Sequence, residues 1–501
     1  MNIVSQHSLR ADDLLAKFKN DLVRDDRLER LGADLIGNDA EVVGPFGAKA
    51  LIYADYVASG RALSVVERFV MENILPYYAN SHTEASYCGG AMTGFRRAAR
   101  DVIAQCCGAD ERYAVIFTGS GATAGLNRLV NLFGVQASLR DGVVPRVIIG
   151  PYEHHSNILP WRESGAEMVE IEETATGGPD LAQLDAALAG AAGRLVICAF
   201  SAASNVTGIV SNVVEVTERA KAAGAKIVWD YAGAGPYLPI AMEPAKGVQI
   251  DAVVVSPHKF IGGPAASGIL IVRQDAVVAT TPTWPGGGTV KFVTPTTHDY
   301  SDSLEVREES GTPNVVGDIR AALAFLVKEA IGQDTMSMRN AALRARALSA
   351  WSKIERIELL GNLQAQSLPI FSFRIKDGKG GYIHQQLVTR MLSDRFGIQA
   401  RGGCACAGPY VHRLLKIDDA QSGALRLAIA GGDEIRKPGF TRLNFSVLLS
   451  DDKVQYILDS VAQLAQDAAA YSDHYTVDTS RAIFYPRKAT DPQDRLLSKA
   501  V

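Results

Sequence analysis

Asp251-Ala252-Val253-Val254-Val255-Ser256-Pro257-His258-Lys259, followed after two residues by Gly262-Gly263-Pro264, is the stretch on which the reading of this chain turns. Asp251–Val255 is short, apolar and rich in β-branched side chains, the pattern of a strand buried on both faces. The ends of strands in an open α/β sheet are where ligands sit. A lysine at such an end, beside small residues that allow close approach, gives up its proton more readily than a solvated one. Its free amine is then a nucleophile able to form an imine with an aldehyde cofactor. Ser256 and His258 could donate hydrogen bonds to the phosphate of such a cofactor. An exposed loop lysine is the competing reading of Lys259.

Outward from this strand, short apolar runs alternate with longer amphipathic segments. Strands are expected at Ala114–Thr118, Arg146–Gly150, Leu195–Phe200, Lys226–Asp230, Asp251–Ser256 and Ile269–Arg273, with helices at Thr123–Leu132, Leu181–Ala189 and Val213–Ala223. That alternation predicts βαβ units and a mostly parallel sheet covered on both faces. A Gly/Pro/Thr-rich stretch, Thr280 to Thr297, ends the region. Helical patterns then run over Val316–Ile331 and Met336–Trp351. Ile370–Ile375, Gln385–Arg395 and Leu443–Leu448 read as strand, helix and strand of a smaller α+β domain. The expected organisation is a large domain over 55–325, a small domain from 1–54 and 326–475, and a polar tail over 476–501, loosely attached.

The 501 residues are 47% hydrophobic and 21% charged, with a formal net charge of −4. This is a globular composition, and the near-neutral balance argues against nucleic acid or an anionic membrane as the main partner. No apolar run of signal-peptide length or of about 20 residues occurs, so a cytoplasmic location is expected. Six cysteines are too sparse for a secreted disulfide framework.

Other segments carry chemistry of their own. Thr118-Gly119-Ser120-Gly121-Ala122-Thr123-Ala124-Gly125 lies between a strand and a helix, where small residues let backbone N–H groups reach a phosphate. It matches neither a dinucleotide fingerprint nor a Walker loop. Asp230 ends an apolar strand and reads as a helix cap or as a site residue. Glu153-His154-His155-Ser156-Asn157 lacks metal-ligand spacing; a histidine stacked on an aromatic cofactor competes there with a surface pair. Arg401-Gly402-Gly403-Cys404-Ala405-Cys406-Ala407-Gly408-Pro409 places thiols in a Gly-rich loop near a cation, with no second cysteine pair nearby to complete a metal site.

Taken in order, these segments, with Ser204-Asn205-Val206-Thr207-Gly208 and Glu309-Ser310-Gly311-Thr312-Pro313-Asn314, resemble the class V aminotransferase family of fold-type I pyridoxal-phosphate enzymes. The likeness runs from about Tyr53 to Leu464 and is nearest to the cysteine desulfurases and selenocysteine lyases. It implies a large domain with a seven-stranded, mostly parallel sheet and pyridoxal 5'-phosphate held on Lys259 as a Schiff base. Asp230 would then pair with the ring nitrogen, His154 stack on the ring, and Asn205 lie near the ring hydroxyl. Ala122, Thr123, Ser256 and His258 would hold the phosphate. Thr312 would reach the phosphate of a neighbouring subunit, which implies a homodimer. Arg442 would grip the carboxylate of a small amino-acid substrate. Lys259 would move the α-proton, and Cys406 would take the sulfur of L-cysteine as a persulfide, release alanine and pass the sulfur to a protein acceptor.

The chain departs from the desulfurase pattern twice. Gly233 stands where a glutamine is usual, and Leu415 to Pro438 looks like an insertion that covers the cleft or binds a partner. Cys404 has no counterpart. The alternative is another reaction of the family (transamination, epimerisation or β-elimination) that leaves the loop cysteine unused.

Overall fold

The computed structural model describes residues 3–80, 84–191 and 193–487, with side chains from Arg10 onward. Its centre is a seven-stranded sheet of β1 (Tyr113–Gly119), β2 (Arg146–Ile149), β3 (Glu167–Glu170), β4 (Val196–Ser201), β5 (Lys226–Asp230), β6 (Ala252–Val255) and β7 (Gly268–Arg273). The order is β1-β7-β6-β5-β4-β2-β3. All neighbours are parallel except β7, which runs antiparallel to both β1 and β6. The expected strands are all present; β3, whose Glu167-Met168-Val169-Glu170 alternates polar and apolar only once, was not anticipated.

The strands are apolar throughout because both faces are covered. Val115, Phe117, Phe200, Trp229 and Val253 belong to one buried cluster, while Ala114, Ile116, Ala199, Val228 and Val254 belong to another. That is the period-two alternation of a pleated strand, with a core on each side. Each fully buried branched or aromatic side chain contributes about 1.5–3 kcal/mol. Helix Gly121–Leu132 covers the second face through Leu126, Leu129 and Leu132.

Five further strands form an antiparallel sheet: β8 (Ile357–Leu359), β9 (Ile370–Lys376), β10 (Tyr382–Ile383), β11 (Arg401–Gly403) and β12 (Phe440–Asn444). The last strand was expected at Leu443–Leu448. It lies earlier because Phe440–Asn444 pairs with both β9 and β11, while Ser446–Ser450 turns into helix Asp451–Ser472, capped by Ser450. Helix Val315–Ile331 links the two sheets. It starts where Asn314 Oδ1 accepts from Gly317 N at 3.2 Å.

The N-terminal residues do not all join the second sheet, as residues 1–54 were expected to. Ile52 and Ala54 are in its core, but Ala11, Leu15 and Phe18 pack with Met92, Phe95 and Ile319. The apolar face of helix Ile3–Leu22 is covered there by helices Tyr87–Cys106 and Val315–Ile331. Nor is the start of the tail loose: Tyr475–Asp478 and Ile483–Pro486 form a hairpin, and Tyr475 donates to Asp394 Oδ2 at 3.3 Å. The rest of the expected tail, 488–501, lies outside the described residues. Among the described residues no helix is long and apolar enough to cross a membrane.

Candidate active site

The carboxyl ends of β1, β2, β4, β5 and β6 open into one cavity of about 220 Å³, closed from the second sheet by Arg401, Ala405 and Arg442. Lys259, Asp230, His154, Asn205, Ala122, Thr123, Ser256, His258 and Arg442, all singled out in the sequence, line it together. Cys406 and Thr312 do not: both are exposed and outside the lining. None of the residues from Leu415 to Pro438 lines it either. The segment holds helix Asp419–Ala430, which buries no residue, and the turn Glu434–Arg436.

Burial sets the charges. It pulls the Lys259 amine down to about 8, with Asp230 opposing and Arg442 adding to the effect. Asp230 is raised by burial and held back by the Ala232 N–H, which donates to Oδ1 at 2.7 Å, and by Lys259. Burial, then the nearby Lys259, lowers His154 to about 3 and His258 to about 4, so both rings are neutral near pH 7. His154 is also fixed in place, its Nδ1 accepting from Ser156 N at 3.1 Å.

The first turn after β1 is tight. Gly121 has φ +67°, and a Cβ there would come 2.9 Å from Ser256 Oγ and 3.0 Å from His258 Cε1. The Ala122 N–H, in the first turn of helix Gly121–Leu132, donates to Ser256 Oγ at 3.0 Å. Thr123 Oγ1 lies 2.7 Å from Ser156 Oγ. Hydroxyls and N–H groups thus gather at a helix N-terminus, an arrangement that favours an anion.

On the opposite wall Arg442 is buried, donating to Asp55 Oδ1 at 2.8 Å and to Asn205 O at 3.0 Å. Arg401 Nε stands 3.3 Å from the other oxygen of Asp55. Two guanidinium groups sharing one carboxylate leave a net positive charge facing the cavity.

The cysteine loop adjoins this wall. Ala407 N donates to Cys404 O at 3.2 Å, and Ala405 and Cys406 have φ of +51° and +54°. This is a type I′ turn made without glycine. Asn205 Nδ2 donates to Ala405 O at 2.8 Å, His155 N to Cys406 O at 2.8 Å, and Gly408 N to His155 Nε2 at 2.9 Å.

Residues 52–432 match the family described as Aminotransferase class-V. The chain belongs to the class V aminotransferases. Among curated relatives, a cysteine desulfurase of Enterobacter sp. (strain 638) is 30% identical over 369 residues, 72% of this chain and 85% of its own. One of Pectobacterium atrosepticum is 29% identical over 394 residues, covering 77% and 90%. The apo structure of a cysteine desulfurase from Thermococcus onnurineus NA1 superposes with a TM-score of 0.68 at 25% identity, over 83% of this chain and 95% of that one.

Class V aminotransferases are pyridoxal 5'-phosphate enzymes, and the cavity fits that group. Asn205 Oδ1 is buried with no hydrogen-bond partner, an acceptor left for a bound hydroxyl. Asp230 is a buried carboxylate whose charge calls for an N–H cation. The Gly121 turn leaves no room for a side chain where an anion would rest.

Sequence reasoning missed Asp55, Arg401 as a cavity residue, and the supports behind the wall. Asp55 carries no motif; its only signal is a lone acid within the apolar Leu51–Val57 segment. Glu153 lies buried behind the cavity, pushed up to about 8 by burial, and accepts from Ser201 N at 2.7 Å and Asn157 Nδ2 at 2.5 Å. His155, for which the sequence offered no role beyond a surface pair, staples the cysteine turn. At Gly233 a Cβ would make ordinary van der Waals contact, 3.6 Å from Ala203 O and from Asn205 Cβ, so a glycine is not sterically required there.

Proposed function

We propose that this enzyme is a cysteine desulfurase that takes sulfur from L-cysteine onto Cys406 and releases alanine. The observation that carries the reading is the joining of two halves. The cavity holds a low-pKa lysine and a buried arginine, and its wall includes Ala405, the residue next to Cys406 in a stapled turn.

Lys259 would hold pyridoxal 5'-phosphate covalently, Asp230 its ring nitrogen, His154 its ring face and Asn205 its hydroxyl. Ala122, Thr123, Ser256 and His258 would hold the phosphate. When bound, the cofactor supplies an aldehyde for the substrate amine and an electron-withdrawing ring that weakens the bonds to the substrate α-carbon.

The protein's own groups do the rest. Arg442 fixes the substrate carboxylate by a bidentate pair, with Arg401 adding charge. The Lys259 amine, its pKa lowered by burial to about 8, is placed to take the α-proton. Neutral His154 is suited to lie against an aromatic ring without competing for protons. Cys406 Sγ, as thiolate, forms a bond to the substrate sulfur while the carbon–sulfur bond breaks, its electron pair remaining with carbon. Proton delivery to that carbon completes alanine. The persulfide sulfur then leaves to a thiol of an acceptor protein, for which the exposed side of Cys406 is open.

Thr312 is exposed and does not line the cavity of its own chain, which supports a homodimer in which it serves the neighbouring site.

One observation favours a second reading: Cys406 does not itself line the cavity. A class V reaction that ignores the thiol would leave Lys259 and Arg442 essential and Cys406 dispensable. Alanine release from L-cysteine by Cys406→Ala decides. Loss of at least about 10²-fold with the visible absorbance intact supports the desulfurase; a wild-type rate refutes it.

A further inference from the structure

Cys404 has no part in the chemistry above, yet the fold sets it beside Cys406 by construction. The two are residues i and i+2 of one type I′ turn, closed by Ala407 N–H to Cys404 O at 3.2 Å. Left-handed backbone at Ala405 and Cys406 costs roughly 1–2 kcal/mol per residue, so the turn persists only because its surroundings hold it. They do so through Asn205 to Ala405 O and His155 to Cys406 O. A single left-handed residue between two others puts their Cα atoms about 5.4 Å apart, by the same geometry as a helical turn. That lies inside the roughly 4.4–6.8 Å range over which cysteine sulfurs can bond.

The two thiols differ in surroundings. Cys406 is exposed, whereas Cys404 is half-buried against a cluster that includes Val206, Ile209 and Tyr410. One thiol can meet large reactants; its neighbour is shielded from them.

We propose that Cys404 is a second sulfur-carrying thiol, receiving the outer sulfur of a Cys406 persulfide and holding it out of solvent. The inference rests on the desulfurase reading. Cys404 Sγ, as thiolate, attacks the outer sulfur of the Cys406 persulfide. A bond forms between Cys404 Sγ and that sulfur, the bond from Cys406 Sγ breaks, and its electron pair stays on Cys406 Sγ. The proton lost by Cys404 is matched by one taken up at Cys406, so nothing is oxidised or reduced overall. In-line displacement needs the two Sγ atoms about 4.1 Å apart, twice a sulfur–sulfur bond, which the turn's spacing permits. Cys406 is then free to accept a second sulfur.

The test uses the cofactor-loaded enzyme without air, reductant or acceptor, given L-cysteine in stepped equivalents. Alanine is counted, and the loop peptide is alkylated and mapped by mass spectrometry. Wild type should release about twice as much alanine per chain before stalling as Cys404→Ser, with sulfane sulfur on both cysteines. Cys406→Ser should carry none on Cys404. Equal alanine bursts in wild type and Cys404→Ser overturn the relay, as does sulfur reaching Cys404 in Cys406→Ser. A wild-type loop peptide lighter by two hydrogens, with sulfide released, overturns it in favour of disulfide formation. If Cys404→Ser fails to fold, the wild-type map alone decides: sulfur confined to Cys406 refutes the relay. No alanine from wild type refutes the desulfurase reading and the relay together, whereas alanine with sulfur on Cys406 alone refutes only the relay.

Discussion

Arg442 donates to Asp55 Oδ1 across 2.8 Å in the wall of the cavity, and Arg401 holds the other Asp55 oxygen at 3.3 Å. One carboxylate is therefore shared by two guanidinium groups, one of them buried. Taking it away leaves like charges facing each other in a poorly hydrated place. Asp55→Ala should lower the free energy of unfolding by about 3 kcal/mol, read by urea denaturation. L-alanine, whose carboxylate can replace the missing charge, should restore part of that loss by binding only the folded state. Unchanged stability in Asp55→Ala would show that the pair carries no such strain.

The Lys259 amine, lowered to about 8 by burial, is mostly protonated at pH 6 and mostly free at pH 9. Only the free amine attacks an aldehyde. The rate at which cofactor-free protein takes up pyridoxal 5'-phosphate should rise about tenfold per unit of pH below 8 and level off above it. Absorbance after rapid mixing measures this. A rise continuing past pH 10 would mean an ordinary, solvated lysine.

Gly121 stands where a side chain would strike both Ser256 and His258. Its φ of +67° adds backbone strain for any other residue. Gly121→Val should weaken cofactor binding at least about tenfold, equivalent to about 1.4 kcal/mol, in equilibrium dialysis with pyridoxal 5'-phosphate. Affinity equal to wild type would place the phosphate elsewhere.

Glu309 tests the scaffold apart from the chemistry. It is buried, and accepts from Arg96 Nη2 at 2.7 Å, Arg100 Nη1 at 2.9 Å and Phe117 N at 2.8 Å. Burial works to raise its pKa, but Arg100 and Arg96 outweigh that and leave it below the ordinary 4.5. A carboxylate lowered in the folded state contributes stability above its unfolded pKa and loses it as pH falls through the folded one. Glu309→Gln should thus cost about 3 kcal/mol at pH 7 by chemical denaturation, with the gap to wild type narrowing below pH 4.5. A gap independent of pH would refute the charge argument.

Much of this was legible in the chain itself. The apolar runs at 114–118, 146–150 and 251–256 became strands because a run buried on both faces has no polar residue to place. The turn residues after them are small because backbone must approach a ligand. Other features were not legible for equally physical reasons. The strand expected at Leu443–Leu448 begins at Phe440, since Thr441, Arg442 and Asn444 break up any apolar run there and only pairing with β9 and β11 selects the stretch. Helix Ile3–Leu22 packs beside Tyr87–Cys106 because an amphipathic face specifies that it must be covered, and says nothing of what covers it.

What the sequence determined alone was a parallel α/β sheet, a lysine at a strand end, and a set of small and polar residues after successive strands. These follow from local periodicity and residue chemistry, which act over a few positions. Only the tertiary structure decided that Asp55 pairs with Arg442 from 387 positions away, that His155 braces the cysteine turn, and that Cys404 is half-buried while Cys406 is exposed. Those depend on which surfaces meet when the second sheet closes over the first, a choice made by packing and charge between segments far apart in the chain.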